Sequence, residues 1–192
     1  LTVKCIVLKH KNIREKMTYA EELEYLATNE KRNNFIVNLL QHLDGNTLCL
    51  FQLVEKHGKP LYAQVKDTID DRKTFFVYGG TDTSERENIR GVVENEKKSI
   101  ILASYGTFST GINIRNINNI VFSSPSKSRI RVLQSLGRGL RKTDTKVSVL
   151  IFDIADDMSH NDKRNFTLNH FSERISLYNE QQFDYQISKV NL

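Results

Sequence analysis

The chain has 192 residues, of which 39% are hydrophobic and 27% are charged, enough for one folded domain with a sizeable core. This composition excludes disorder throughout, and nine glycines with two prolines exclude collagen-like and proline-rich proteins. No run of about 18 apolar residues occurs, so we expect no transmembrane helix and no membrane partner. The amino terminus shows no signal-peptide pattern, and because it lacks an initiator Met we expect a fragment or a processed chain.

The two cysteines, Cys5 and Cys49, lie in apolar runs that read as buried strands. This usage is typical of a reducing compartment rather than of a disulfide framework, so we expect a cytoplasmic protein. The five histidines are scattered, and no spacing of Cys and His matches a zinc site. We therefore expect no metal to be held by this chain alone.

The positive charge is concentrated in one short segment. The chain has a net charge of +5, whereas residues 127–146 carry seven basic residues against Asp144 alone. The other residues together are close to neutral, and such a concentrated charge is typical of a surface that meets phosphate.

Short apolar runs alternate along the chain with segments of helical periodicity. In residues 30–43 the apolar side chains recur on one helical face, and Asp82-x-x-Glu85 predicts a capped helix over 83–95. A shorter helix over 52–59 is expected to stop near Gly58 and Pro60. The predicted strands are Thr2–Leu8, Thr47–Phe51, Thr74–Tyr78, Ser99–Ser104, Asn119–Ser123 and Lys146–Asp153, and the remaining predicted helices are 19–27, 128–141 and 157–178.

Runs such as TLCLF and SVLIF are apolar on both faces, which is typical of strands covered by helices on both sides. The predicted fold is α/β, with a mostly parallel, doubly wound sheet. Residues 1–28 read as a lead-in with a hinge strand and a short helix, 29–178 as the main domain, and 179–192 as a C-terminal tail. Ligands of such sheets bind beyond the carboxyl ends of the strands, which directs attention to the segments that follow them.

The most informative of these segments is QSLGRGLR, residues 134–141. On a helix Gln134, Arg138 and Arg141 share one face, while the leucines lie on another. Two guanidinium groups on the same face suit a triphosphate, because each can bind phosphate oxygens bidentately. The alternative is an ordinary basic surface helix.

Two glycine-containing segments follow predicted strands. ASYGTFSTGINI (103–114) and YGGTDTSER (78–86) both combine glycines, which permit close backbone approach, with hydroxyl side chains. Backbone N–H groups and hydroxyls of this kind can bind phosphates, and the helix after Thr83 would present its N-terminus to the same ligand. Each segment alone is also compatible with an ordinary turn.

Four segments, in their order and spacing, resemble motifs IV, IVa, V and VI of superfamily 2 helicases: TLCLF, YGGTDTSER, ASYGTFSTGINI and QSLGRGLR. In those helicases the four motifs belong to the second of two RecA-like motor domains. The resemblance covers roughly residues 30–155, with the hinge strand at 2–8. The string YGTFSTGINI is similar to recombination helicases of the kind that bacteriophages encode and to related DNA translocases. For such a protein the cytoplasm would be that of the bacterial host.

The resemblance implies a role for each matching residue. Gln134, Arg138 and Arg141 would face the γ-phosphate of ATP, the two arginines as arginine fingers. Many family members carry Asp at the position of Asn113, a departure that concerns the contact to the ribose. Many DEAD-box RNA helicases carry Thr at the position of Tyr105, and this second departure favours a DNA translocase. Nucleotide contacts would come from Gly111, Asn113 and Gly137, and nucleic-acid contacts from Gly79, Gly80, Thr81, Arg86, Ser104, Tyr105 and Thr107.

The sequence contains no GxxxxGK[ST] and no DExx-type acidic box after an apolar strand. The resemblance therefore implies a C-terminal half-motor, with ATP and Mg²⁺ held mainly by an N-terminal RecA-like domain of the same protein. The expected partner is single-stranded or branched DNA, with RNA–DNA hybrids as a second class. Fork regression, Holliday-junction migration and R-loop removal fit equally well. The alternative is an α/β nucleic-acid-binding module that works without ATP.

Overall fold

A seven-stranded parallel sheet organises the part of the chain that the computed structural model describes, residues 2–109, 116–125 and 148–192. Its order is β3-β4-β2-β5-β6-β1-β7, and each neighbouring pair runs parallel. The predicted doubly wound parallel sheet is confirmed. The strands are β1 (Thr2–Lys9), β2 (Thr47–Phe51), β3 (Thr74–Val77), β4 (Ile100–Ser104), β5 (Asn119–Phe122), β6 (Leu150–Asp157) and β7 (Asp184–Asn191).

Helices connect these strands, and in several places their ends are set by local hydrogen bonds. A capping box starts the first helix: the Thr18 side chain accepts from Glu21 N–H, and the Glu21 carboxylate accepts from Thr18 N–H. The helices are α1 (Tyr19–Thr28), α2 (Glu30–His42), α3 (Lys59–Thr68), α4 (Thr83–Asn95), α5 (Tyr105–Ser109) and α6 (Phe166–Glu180), and a π-helical turn, Val54–Gly58, precedes α3.

Two helix predictions need correction. The helix predicted over 52–59 is wrong, because the π-helical turn runs directly into α3. Pro60 lies in the first turn of α3, where a missing N–H costs nothing, so it does not stop the helix. The helix over 83–95 is confirmed with Asp82 at its N-cap, but the Asp82 side chain makes no capping hydrogen bond. The predicted helix 128–141 lies outside the described residues.

The end of β6 also differs from the prediction. The strand runs to Asp157 rather than to Asp153, and α6 consequently begins at Phe166 rather than near 157. The charged residues Asp153 and Asp156 are buried in the strand, because Arg174 and Arg32 pair with them.

Both ends of the chain contribute strands to this sheet. β1 lies between β6 and β7 and pairs in parallel with each. Residues 179–192, which the sequence predicts to be a tail, contain β7, an edge strand with mostly exposed side chains. The division into 1–28, 29–178 and 179–192 stays a prediction.

The core has two parts, one on each face of the sheet. Side chains of β1 point alternately to the two faces of the sheet. Val3 and Cys5 pack in the part of the core covered by α4 and α6, and Ile6 and Leu8 pack in the part covered by α2 and α3. The thiols of Cys5 and Cys49 are free, and burial raises the pKa of each to about 12. Among the described residues, no helix is both long and apolar enough to cross a membrane.

Candidate nucleic-acid interface

The carboxyl ends of β2, β3, β4 and β5 meet at one edge of the sheet, because neighbouring strands are parallel. The turns after β3 and β4 are therefore next to each other. They carry all the nucleic-acid contacts predicted among the described residues, namely Gly79, Gly80, Thr81, Arg86, Ser104, Tyr105 and Thr107.

In the turn after β3 the backbone is exposed and the side chains hold it in place. Thr81 closes the turn, its N–H donating to Tyr78 O and its hydroxyl accepting from Tyr78 N–H, both at 3.0 Å. Arg86 donates through Nη2 to the carbonyls of Tyr78 and Gly79 at 3.2 and 3.1 Å. Thr81 is buried and Arg86 is half-buried, and the hydrogen bonds of both side chains stabilise the turn.

The two glycines of that turn differ in their surroundings. A Cβ atom on Gly80 would lie 2.7 Å from the Tyr78 ring, so a larger residue there would require that ring to shift. A Cβ on Gly79 would meet nothing within 4 Å, so the backbone there is open to an approaching ligand.

The turn after β4 also directs its side chains inward. The hydroxyls of Ser104 and Thr107 lie 2.7 Å apart in a hydrogen bond, and both residues are buried. Gly106 between them is exposed, with open space where a Cβ would stand. The accessible part of this turn is thus its backbone, as it is at Gly79.

Tyr105 does not lie on this surface. Its side chain is only 3% exposed, its ring packs near that of Phe122, and its hydroxyl donates to Ser124 O at 2.9 Å. Of the other predicted site residues, Gln134, Arg138, Arg141, Gly111, Asn113 and Gly137 lie outside the described residues, and their roles stay predictions.

A buried polar network behind this edge was not predicted from the sequence. His57 bonds through Nδ1 to Ser124 Oγ at 2.7 Å and through Nε2 to Asn33 Oδ1 at 3.2 Å. Burial, together with the nearby charge of Arg32, lowers the pKa of His57 to about 3, so the imidazole is neutral. A single histidine in the run EKHGKP carries no signal that would reveal this role.

A second network lies at the ends of β1 and β6. Arg32 donates through Nε and Nη2 to the two carboxylate oxygens of Asp156, and His10 bonds to the same carboxylate at 2.9 Å. Burial alone would raise the pKa of Asp156, but Arg32 and His10 hold it well below its usual range. Among the described residues no cluster of His, Cys, Asp and Glu could hold a metal ion.

The comparison with known families defines the class of the protein. Residues 30–143 match the model of the helicase conserved C-terminal domain, more than half of the chain. The chain belongs to this family, which confirms the predicted second RecA-like domain of a superfamily 2 helicase.

One similar protein is the ATP-dependent DNA helicase uvsW of Enterobacteria phage T4, 37% identical over 188 residues. The match covers 91% of this chain and 37% of that protein, so the chain spans well under half the length of this relative. The crystal structure of T4 UvsW matches 99% of the chain and 41% of its own, with 35% identity and a TM-score of 0.83. The C-terminal domain of the DEAD-box protein Dbp5 has a TM-score of 0.66 at 12% identity, which shows the shared fold.

Proposed function

We propose that this chain is the C-terminal motor domain of an ATP-dependent DNA helicase or translocase that acts on branched DNA in recombination and repair. The observation that carries the proposal is the pair of exposed turns at the neighbouring ends of β3 and β4, in a member of the helicase C-terminal domain family. Gly79 and Gly106 are exposed, with open space where a Cβ atom would stand, so a strand can approach the backbone there, and backbone contacts of this kind bind phosphates without reading bases.

In this proposal the two turns form half of a track for one nucleic-acid strand. Thr81, Arg86, Ser104 and Thr107 shape the turns through their internal hydrogen bonds, and the glycine backbone meets the strand. This assigns a supporting role to side chains that the resemblance places along the strand. The similarity to a DNA helicase favours DNA as the partner.

The ATP site would be completed by a second domain. The sequence has no P-loop, so the phosphate cradle and the Mg²⁺-holding acid would come from an N-terminal RecA-like domain. Gln134, Arg138 and Arg141 would reach the γ-phosphate from this chain, with Gly111, Asn113 and Gly137 near the nucleotide. Arginine side chains there stabilise the charge that develops as the phosphoryl group is transferred.

The proposal is tested by Arg138→Ala and Arg141→Ala in the complete helicase. We expect kcat for DNA-stimulated ATP hydrolysis to fall by about 10³-fold or more, as for arginine fingers generally, with ATP and DNA affinities largely kept. Arg→Lys at either position should not restore kcat, because an ammonium group lacks the planar fork of a guanidinium.

Circular dichroism of the variants controls for folding, and strand-separation and branch-migration assays identify the reaction. Near-normal kcat in both alanine variants would mean that this segment is a basic surface. Nucleic-acid binding by the complete protein without any ATP hydrolysis would favour the alternative, an ATP-independent binding module.

A further inference from the structure

The outer edge of β7 is a strand edge with which no other strand pairs among the described residues. β7 pairs with β1 along its whole length, from Thr2↔Asp184 to Lys9↔Asn191, without a bulge. Its sequence, DYQISKVN, contains no proline. Prolines, bulges and very short strands are common means of blocking an open edge, which otherwise pairs readily with another strand. β7 has none of these, so its edge is suited to pairing with a further strand.

The backbone groups of alternate residues in β7 point away from the sheet. Leu192, directly after β7, donates its N–H to Lys9 O in β1 at 3.1 Å. The N–H and C=O of one strand residue point to the same side, and this side alternates from residue to residue, so the even-numbered residues face β1. The N–H and C=O groups of Tyr185, Ile187 and Lys189 consequently point outward from the edge.

Apolar surface lies at the middle of the same edge. Ile187 is 50% exposed, and within the described ranges Phe166, at 39%, is the other exposed large hydrophobic residue. Ile187 borders a groove of about 370 Å³ between β7 and α6, which Phe171 and Ile175 also line. Outward backbone groups next to an exposed apolar side chain are typical of an edge to which another strand is added.

A second copy of β7 complements this edge when the two strands run antiparallel. A two-fold axis through Ile187, perpendicular to the sheet, keeps side chains of the same face together. It places Ile187 opposite Ile187 of the second copy, Tyr185 opposite Lys189, and Gln186 opposite Ser188. Apolar side chains then meet each other, a ring meets the aliphatic stem of a lysine, and two polar side chains meet on the other face.

The charges of β7 agree with this arrangement. Asp184 begins the strand and Lys189 lies near its end, so antiparallel pairing brings the acidic end of one copy to the basic end of the other. No like charges are then opposite each other. The pairs Ile187–Ile187 and Tyr185–Lys189 have outward backbone groups, and each would exchange two main-chain hydrogen bonds.

We propose that the edge of β7 is an interface between two copies of this chain, which associate by antiparallel β7–β7 pairing into one continuous sheet. The proposal does not depend on the proposed function. One strand pair is small beside the about 1,600 Å² of a stable complex, so the dimer is expected to be reversible, with a Kd in the micromolar range. Its two-fold axis turns the carboxyl edges of the two sheets in opposite directions.

Cysteine cross-linking of the 192-residue chain tests the register. Ile187→Cys should form a covalent dimer under mild oxidation, because opposite Cα atoms of a hydrogen-bonded antiparallel pair are about 5.5 Å apart, within disulfide range. Lys189→Cys is the matched control, on the same exposed strand face. Its two introduced thiols would be four residues apart along the strands, about 13 Å, and should not cross-link. The native Cys5 and Cys49 are buried and do not compete.

Sedimentation equilibrium tests the association itself. The wild-type chain should show a reversible monomer–dimer equilibrium. Ile187→Ser should raise its Kd by about tenfold or more, since each copy loses one apolar side chain from the centre of the interface. Phe166→Ser removes the other exposed large hydrophobic residue, outside β7, and should change the Kd by less than about threefold. Circular dichroism controls for the folding of every variant.

Three results would overturn the proposal. The first is a wild-type chain that stays monomeric up to millimolar concentration, which would leave the edge to a different partner. The second is a dimer that Ile187→Ser does not weaken, and the third is cross-linking of Lys189→Cys as readily as of Ile187→Cys. The cross-linking and the association measurement use different variants, so a folding defect in one leaves the other decisive.

Discussion

Ser124, His57 and Asn33 form a hydrogen-bonded chain whose residue types match a nucleophile, a base and an orienting amide. A general base works best with a pKa near the operating pH, whereas burial lowers the pKa of His57 to about 3, which disfavours that chemistry near neutral pH. The hydrogen bonds of the three residues connect α2 and the π-helical turn to the chain that leaves β5.

The same burial predicts how stability depends on pH. In the unfolded chain His57 should titrate near pH 6.5, while in the folded chain it stays neutral down to about pH 3. The unfolded state therefore binds more protons below pH 6.5, and the free energy of unfolding falls as the pH falls through this window. The contribution of His57 approaches about 1.4 kcal/mol per pH unit well below pH 6.5.

Urea denaturation of the wild type and of His57→Gln between pH 7.5 and 4.5 measures this contribution. The variant lacks the titrating group, so its free energy of unfolding should fall less steeply below pH 6.5. Above pH 7 the two curves should run parallel. The pKa of Asp156 is lowered in the folded chain, so its carboxylate stops stabilising the fold only as the pH falls below about 3.8. That change lies outside the range of pH 7.5 to 4.5. Equal slopes for the two proteins would contradict the prediction.

Among the elements, α6 is fixed to the sheet by a buried ion pair. Arg174 of the helix bonds Asp153 of β6 through Nε at 2.7 Å and Nη2 at 3.0 Å, and Tyr178 donates to the same carboxylate. The charge of Asp153 raises the pKa of Arg174 although burial opposes this, so the guanidinium keeps its charge.

We expect Arg174→Met to lower the free energy of unfolding by about 3–5 kcal/mol, because it leaves a buried carboxylate without its counter-charge. The double change Arg174→Met with Asp153→Asn should recover most of that loss, since no unpaired charge remains. Equilibrium urea denaturation of this chain measures both. A single variant that costs as little as the double one would show that the ion pair does not fix α6.

The elements also show what the sequence could predict. β2 and α4 were predicted to the residue because their patterns are complete: TLCLF is apolar throughout, and residues 83–95 follow an N-cap residue. β7 was missed because DYQISKVN is an exposed edge strand, where few side chains need to be apolar. The end of β6 was missed because Asp153 and Asp156 are buried with arginines from distant positions, which no local pattern reveals.

For the candidate site, too, the sequence predicted one part and missed another. The spacing of glycines after apolar strands identified the turns at Gly79 and Gly106, since parallel strands bring such turns together. The direction of the Tyr105 side chain depends on Ser124, a residue on another strand end, and could not be inferred from its neighbours in sequence.

At the scale of the whole molecule, the proposed half-motor should bind DNA without turning over ATP. The purified 192-residue chain should bind single-stranded DNA weakly, with an affinity that falls steeply as the salt concentration rises. The reason is that the basic segment 127–146 and the exposed turns after β3 and β4 would contact phosphates rather than bases. Each phosphate neutralised on a single strand contributes a slope of about −0.7 in log K against log salt. Binding titrations on several sequences at three salt concentrations, with ATP hydrolysis measured in parallel, test this.

The slopes should be equal across sequences, and ATP hydrolysis should stay at background. Tight, salt-insensitive or sequence-specific binding would contradict the expected phosphate contacts. Robust ATP turnover by this chain would contradict the half-motor.

The placement of β1 between β6 and β7 has a consequence for synthesis on the ribosome. Within this domain Thr2 is made long before Leu150 and Asp184, its partners across the two ladders. The apolar β1 therefore stays unpaired until nearly all of this domain has left the exit tunnel, and such long-range parallel pairing forms slowly. During that interval β1 is an unpaired apolar strand, the kind of segment that chaperones bind.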